Sequence, residues 1–177
     1  MVLYRRNRVE GGTYFFTVTL RDRQTSLLTE HIGLLPEAVR KTRLGRPFVI
    51  DAWAVLPEHL HALWTLPAGG TDYSARWRSI RAYFFHEFAK MSEHAERNAK
   101  GEYGFWQRRF WEYTIKDEED FARHIDYLHH NPVKHGHTEK VRDWPYSSFH
   151  RFVEKNVYPL DWGYSEENEL GGDSYGE

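Results

Sequence analysis

The sequence contains no cysteine. That absence excludes disulfides, thiolate metal sites and a cysteine nucleophile, and it agrees with a reducing compartment. No apolar run reaches the ~18 residues of a transmembrane helix. The opening MVLYRRNRVEGG lacks the apolar stretch of a secretory signal, so a cytoplasmic protein is expected. An excess of one charge is also missing: 24 Lys and Arg stand against 26 Asp and Glu, a net of −2. The balance is uneven along the chain. Residues 163–177, GYSEENELGGDSYGE, hold five acids and no base, which leaves 24 basic against 21 acidic residues, a net of +3, for residues 1–162. A mildly basic body with an acidic end occurs among nucleic-acid binders, although a charge run by itself is most often a solvated segment.

Aromatic side chains are plentiful, at 16% of residues. Many must be core. Others sit among arginines, in ARWRSIRAYFF and FWQRRFWEY. There, guanidinium groups and rings can stack on unpaired bases, or arginine stems can cover core edges. The length suits one domain with a proper core. Strands are expected at 14–20 (YFFTVTL), 48–56 (FVIDAWAVL), 59–66 and 110–115, the middle two joined by a Pro57–Glu58 turn. Helices are expected over 30–44, its regular part starting near Pro36 and Leu35, Ala38, Val39 and Leu44 inward, and over 74–91, capped by Ser74 with Trp77, Ile80, Phe84 and Phe88 inward. A third follows Asp117, whose neighbours Glu118, Glu119 and Asp120 suit the positive end of a helix dipole. The fold class is therefore α+β, an antiparallel sheet with helices packed on it. It comprises one domain over 1–162 and a tail over 163–177 whose composition is that of a disordered segment.

Two stretches carry chemistry. In LPEHLHALW, His59 and His61 alternate with Leu60, so on a strand both imidazoles point to one face and Leu60, Ala62 and Trp64 to the other. Two buried imidazoles side by side are costly, so the pair either lies open at a sheet edge or shares a ligand. In HIDYLHHNPVKHG, Tyr127 and Asn131 are four residues apart and share a helix face. From spacing alone, Asn131 before Pro132 reads first as the cap of a new helix that Gly136 ends. The histidines at 129, 130, 135 and 137 read as solvated or groove-lining.

Taken together with WQRRFWEYTI and WPYSSF, these segments resemble the single-tyrosine HUH transposases, specifically the REP-associated tyrosine transposases, over most of the chain. The resemblance implies a ferredoxin-like sheet with the HUH histidines on a central strand. It implies a divalent cation, Mg2+ or Mn2+, on His59, His61 and Asn131, and it raises Asn131 as a ligand above Asn131 as a cap. Tyr127 becomes the nucleophile of a nuclease and strand-transfer reaction that passes through a 5′-phosphotyrosine. The implied partners are REP-type DNA hairpins with an adjacent single-stranded guide, bound by a monomer. Arg5, Arg6, Arg8, Arg78, Arg81 and Lys134 are the candidate DNA contacts. The alternative is a non-catalytic, sequence-specific hairpin-binding protein.

The chemistry is consistent with these roles. Two imidazoles and an amide are neutral donors, so the ion keeps its full field for phosphate and leaves coordination positions open. A tyrosine of ordinary acidity, near pKa 10, needs help losing its proton. The sequence names no base, and His124 is only one entertained.

Overall fold

The computed structural model describes residues 6–92 and 104–163. The elements run β1 (Thr13–Thr19), α1 (Leu27–Glu30), α2 (Leu34–Gly45), β2 (Val49–Val55), β3 (His59–Thr65), α3 (Tyr73–Met91), β4 (Trp111–Thr114), α4 (Glu118–Lys134), a 3-10 turn (Val141–Asp143) and α5 (Phe149–Glu154). The strands form one sheet in the order β2-β3-β1-β4, with every neighbouring pair antiparallel. Two β-α-β units interleave to give this order, which is the ferredoxin-like arrangement. β3 is a central strand, so the histidine pair does not lie at a sheet edge.

Strand alternation sorts the side chains into two cores. Tyr14, Phe16 and Val18 of β1 and Leu60, Ala62 and Trp64 of β3 pack against α2 and α3, with Trp64 stacked on Trp77 at 4.2 Å between ring centroids. Phe15, Leu63, Ala52 and Ala54 face the other way and meet Ile125, Tyr127 and Leu128 of α4. Between Ile50 and Ala52 the β2–β3 register shifts, and these two residues, two apart in sequence, face opposite cores. A bulged residue does this by adding one step to the alternation. The hairpin between β2 and β3 is tight: Leu56 N–H donates to the His59 carbonyl at 2.8 Å across Pro57–Glu58.

Local chemistry corrects several expectations. The helix expected over 30–44 begins at Leu34, near Pro36 as expected, and a separate short helix, α1, precedes it. Leu35, Ala38 and Val39 are buried as expected, but Leu44, one residue from the end of α2, is 77% exposed. α3 is capped by the carboxylate of Asp72, which accepts from Ala75 N, and not by Ser74. Asp117 does cap α4, accepting from Asp120 N at 2.8 Å. α4 then runs without a break through Pro132, so Asn131 lies inside the helix and caps nothing. Pro132 has no amide hydrogen to give the Leu128 carbonyl, so the helix forgoes that bond one turn before its end. Gly136, at φ 71°, ends it: Gly136 N–H reaches the Val133 carbonyl and His137 N–H the Pro132 carbonyl, both at 2.9 Å, closing a Schellman turn.

The WPYSSF element lies along the outer edge of β2. Val55 N–H donates to the Tyr146 carbonyl at 2.8 Å and Ser148 N–H to the Trp53 carbonyl at 2.9 Å, so residues 146–148 occupy groups that an edge strand otherwise exposes. Ser148 also joins this edge to α4 through His129 Nε2 at 2.8 Å. His129 is fully buried, against the expectation of a solvated or groove-lining ring. Among the described residues, no helix is long and apolar enough to cross a membrane. Of the acidic tail expected to be disordered, residues 164–177 lie outside the described residues.

Candidate active site

β3 turns both histidines toward α4, His59 1% and His61 0% exposed, with ring centroids 4.9 Å apart. Each Nδ1 has its own support. His59 Nδ1 donates to Glu58 Oε1 at 2.8 Å. Burial pushes the Glu58 carboxyl up, but the hydrogen bond and charge of His59, with Arg23 behind, outweigh it and hold it below its ordinary value. His61 Nδ1 is hydrogen-bonded to Thr17 Oγ1 at 2.9 Å, from the residue opposite it on β1, and the His61 ring stacks on Phe15 at 5.3 Å. For His59, whose partner is a carboxylate, the proton sits on Nδ1 and leaves Nε2 as the lone-pair atom. Both Nε2 atoms are buried outside any hydrogen bond.

α4 brings its stripe over this face. Tyr127, 7% exposed, sets its ring 5.5 Å from that of His61 and edge-on to Phe15 at 6.0 Å. Asn131, one turn further on, is fully buried, and its Oδ1 is another buried atom without a hydrogen bond. Lys134, two turns beyond Tyr127, donates from Nζ to the Tyr127 hydroxyl at 3.3 Å. His135 caps the helix with its ring 5.2 Å from that of His59. His124 is held toward β4: its Nδ1 bonds the Asp120 carbonyl at 2.7 Å and its ring stacks on Tyr113 at 4.7 Å. Burial lowers its pKa, against the pull of Asp120.

Among the described residues no group of three or more His, Cys, Asp or Glu side chains could hold a metal ion. The donor set that the sequence points to is two imidazoles and an amide, which such a group does not include. His59 fits a ligand's role: its Nε2 is buried without a hydrogen bond, and a carboxylate behind its Nδ1 fixes the ring, as is usual for metal-binding histidines. Glu58 is adjacent to the motif in sequence. Thr17 is not, and only the β1–β3 register reveals it.

The arginines gather elsewhere. Arg6, Arg21, Arg78, Arg81 and Arg108 line a cleft of ≈ 820 Å³ between α3 and the segment before β4. Among the described residues lining it there is no Asp or Glu. Arg6 stacks over Phe110 at 4.1 Å and donates to Ser74 Oγ at 3.0 Å. Arg81 donates to the Gln107 carbonyl, and burial with the charge of Arg6 lowers its pKa to about 10. The cleft is joined to the histidine end of the sheet: Gln107 N–H donates to the carbonyl of Thr19, which pairs with His59. Arg8 stands apart, exposed beside the Tyr73 ring at 6.0 Å. Arg5 lies outside the described residues. Arg21 and Arg108, scattered in sequence, were no part of the expected set.

Comparison with known proteins follows the same lines. No family model matches the chain. A protein of Escherichia coli (strain K12), the REP-associated tyrosine transposase, is 48% identical over 159 residues, spanning 90% of this chain and 89% of its own. The chain belongs to the REP-associated tyrosine transposases. A second relative in that family, the putative REP-associated tyrosine transposase of Haemophilus influenzae (strain ATCC 51907 / DSM 11121 / KW20 / Rd), is 43% identical over 172 residues, 96% of this chain and 98% of its own. A solved structure of a REP-associated tyrosine transposase bound to a REP hairpin superposes with a TM-score of 0.86 at 45% identity, covering 100% of this chain and 98% of that one. Membership agrees with the antiparallel sheet and the helices packed on it.

Proposed function

We propose that the chain is a divalent-metal-dependent, single-strand DNA endonuclease and strand transferase that acts on REP-type DNA hairpins through a phosphotyrosine at Tyr127. The observation that supports this best is the meeting of Tyr127 with His61, and of His61 with His59, on the face of the sheet covered by α4. A Mg2+ or Mn2+ ion on His59 Nε2, His61 Nε2 and Asn131 Oδ1 would supply Lewis-acid stabilisation of the phosphoryl oxygens. The protein's own groups do the rest. Glu58 keeps the His59 ring in the tautomer that presents Nε2, and Thr17 fixes the orientation of the His61 ring. Tyr127 Oη forms a bond to phosphorus as the P–O3′ bond breaks. Its phenolic proton leaves to solvent and the departing 3′ oxygen takes one up. The products are a 5′-phosphotyrosine and a free 3′-hydroxyl, so the bond energy is kept for joining to a second 3′-hydroxyl. Phosphates of the hairpin away from that bond suit the arginine cleft, where contacts fix position without reading sequence.

The test is a hairpin oligonucleotide with a single-stranded guide at its foot, incubated with the protein and Mn2+ or Mg2+. A covalent protein–DNA adduct is expected, lost in Tyr127→Phe and in the double variant His59→Ala, His61→Ala. An adduct that persists in Tyr127→Phe refutes the nucleophile. Tight hairpin binding with no adduct in either metal makes the chain the non-catalytic binder instead.

A further inference from the structure

We propose that Lys134 is a catalytic residue that acts on the reacting oxygen of Tyr127, and not a phosphate contact. The proposal rests on the phosphotyrosine reading above. The Lys134 ammonium donates to the Tyr127 hydroxyl at 3.3 Å and also lies 4.9 Å from the centre of the ring. A phenolate carries its negative charge on just these parts, the oxygen and the ring to which it delocalises. Against the neutral phenol the same ammonium makes one hydrogen bond and a cation–π contact, a weaker pairing. Its interaction is therefore largest in the charged form, which is the condition for lowering a barrier rather than only binding.

The placement is built in. Tyr127 and Lys134 lie seven residues apart, two helical turns along one face. The Schellman turn at Gly136 fixes the last turn of α4, which carries the lysine. Lys134 is exposed, so its charge stays hydrated and costs little to keep there. In cleavage the phenolic proton goes to solvent, the Tyr127 Oη–P bond forms, the P–O3′ bond breaks and the 3′ oxygen takes up a proton. In joining, an incoming 3′-hydroxyl bonds to phosphorus, its proton leaves to solvent, and Tyr127 departs as a phenolate. The lysine stabilises the same charged oxygen in both directions.

The experiment measures single-turnover adduct formation with hairpin DNA and Mn2+ in wild type, Lys134→Met and Lys134→Arg, with the hairpin Kd measured separately. Lys134→Met is expected to slow the rate at saturating DNA roughly 100- to 1,000-fold, as for loss of one donor at a reacting oxygen, with Kd within about twofold. Lys134→Arg should recover most of the rate, because it keeps the charge. A Lys134→Met rate equal to wild type at saturating DNA overturns the proposal, and with a weakened Kd it makes Lys134 a phosphate contact. Lys134→Arg as slow as Lys134→Met overturns it too. Tyr127→Phe is run alongside: an adduct there defeats the nucleophile itself, a failure separable from that of Lys134.

Discussion

Mild acid should loosen this protein through one buried imidazole. His129 Nε2 lies 2.8 Å from Ser148 Oγ, which also accepts from Trp53 N at 3.0 Å and donates to the Trp53 carbonyl at 3.2 Å. With the hydroxyl proton committed to Trp53, His129 must be the donor through Nε2. Its Nδ1 is then bare, and it is buried without a hydrogen bond. The ring is packed edge-on to Phe149, Phe152 and Tyr158. A second proton has no acceptor there. Burial, with the charge of Arg151, pushes the pKa down to about 3 from 6.5. Since the folded value lies below the unfolded one, the unfolded chain binds the extra proton between these limits, and stability falls as pH drops below 6.5. At pH 5 the loss from this group is about 2 kcal/mol relative to pH 7.5, or a drop of about 4–8 °C in Tm for a domain of this size. The assay is thermal or urea unfolding from pH 7.5 to 5.0 in wild type and in His129→Gln, whose amide donates to Ser148 but does not titrate. Other histidines shift too, so the difference in slope between the two proteins is the quantity to read. Equal slopes refute the reasoning.

Other perturbations follow from the same geometry. Glu58→Gln should weaken Mn2+ binding about 10- to 100-fold by removing the carboxylate behind His59, read by calorimetry with Mn2+ alone; unchanged affinity argues against the assigned tautomer. Arg78→Ala combined with Arg108→Ala should weaken hairpin binding and lower the slope of log K against log salt by about 2, and an unaltered slope removes the cleft from the DNA path. Trp64→Ala should cost about 3–5 kcal/mol in urea unfolding, given its burial and its stack on Trp77.

Much of the site is legible in sequence because it is local. The period-2 alternation of LPEHLHALW is enough to put both imidazoles on one face, and the four-residue spacing of Tyr127 and Asn131 puts them on one stripe of a helix. The tight hairpin, the α3 stripe and the Asp117 cap are local too. What fails is what depends on partners distant in sequence. Thr17 meets His61 only through strand register. Arg21 and Arg108 meet Arg78 only because the segment before β4 folds against α3. His129 reads as polar and solvated until Ser148, nineteen residues on, is seen to receive it. Asn131 before Pro132 reads as a cap because a residue before proline is biased out of the helix, whereas here α4 continues through the proline to a turn closed at Gly136.

The short run Tyr146–Ser148 has a consequence for assembly. Were a second copy to extend this sheet across the Trp53–Val55 half of β2, it would first have to peel away three residues and sever the hydroxyl link that ties them to α4. Dimerisation by that route would thus loosen the very helix that carries Tyr127.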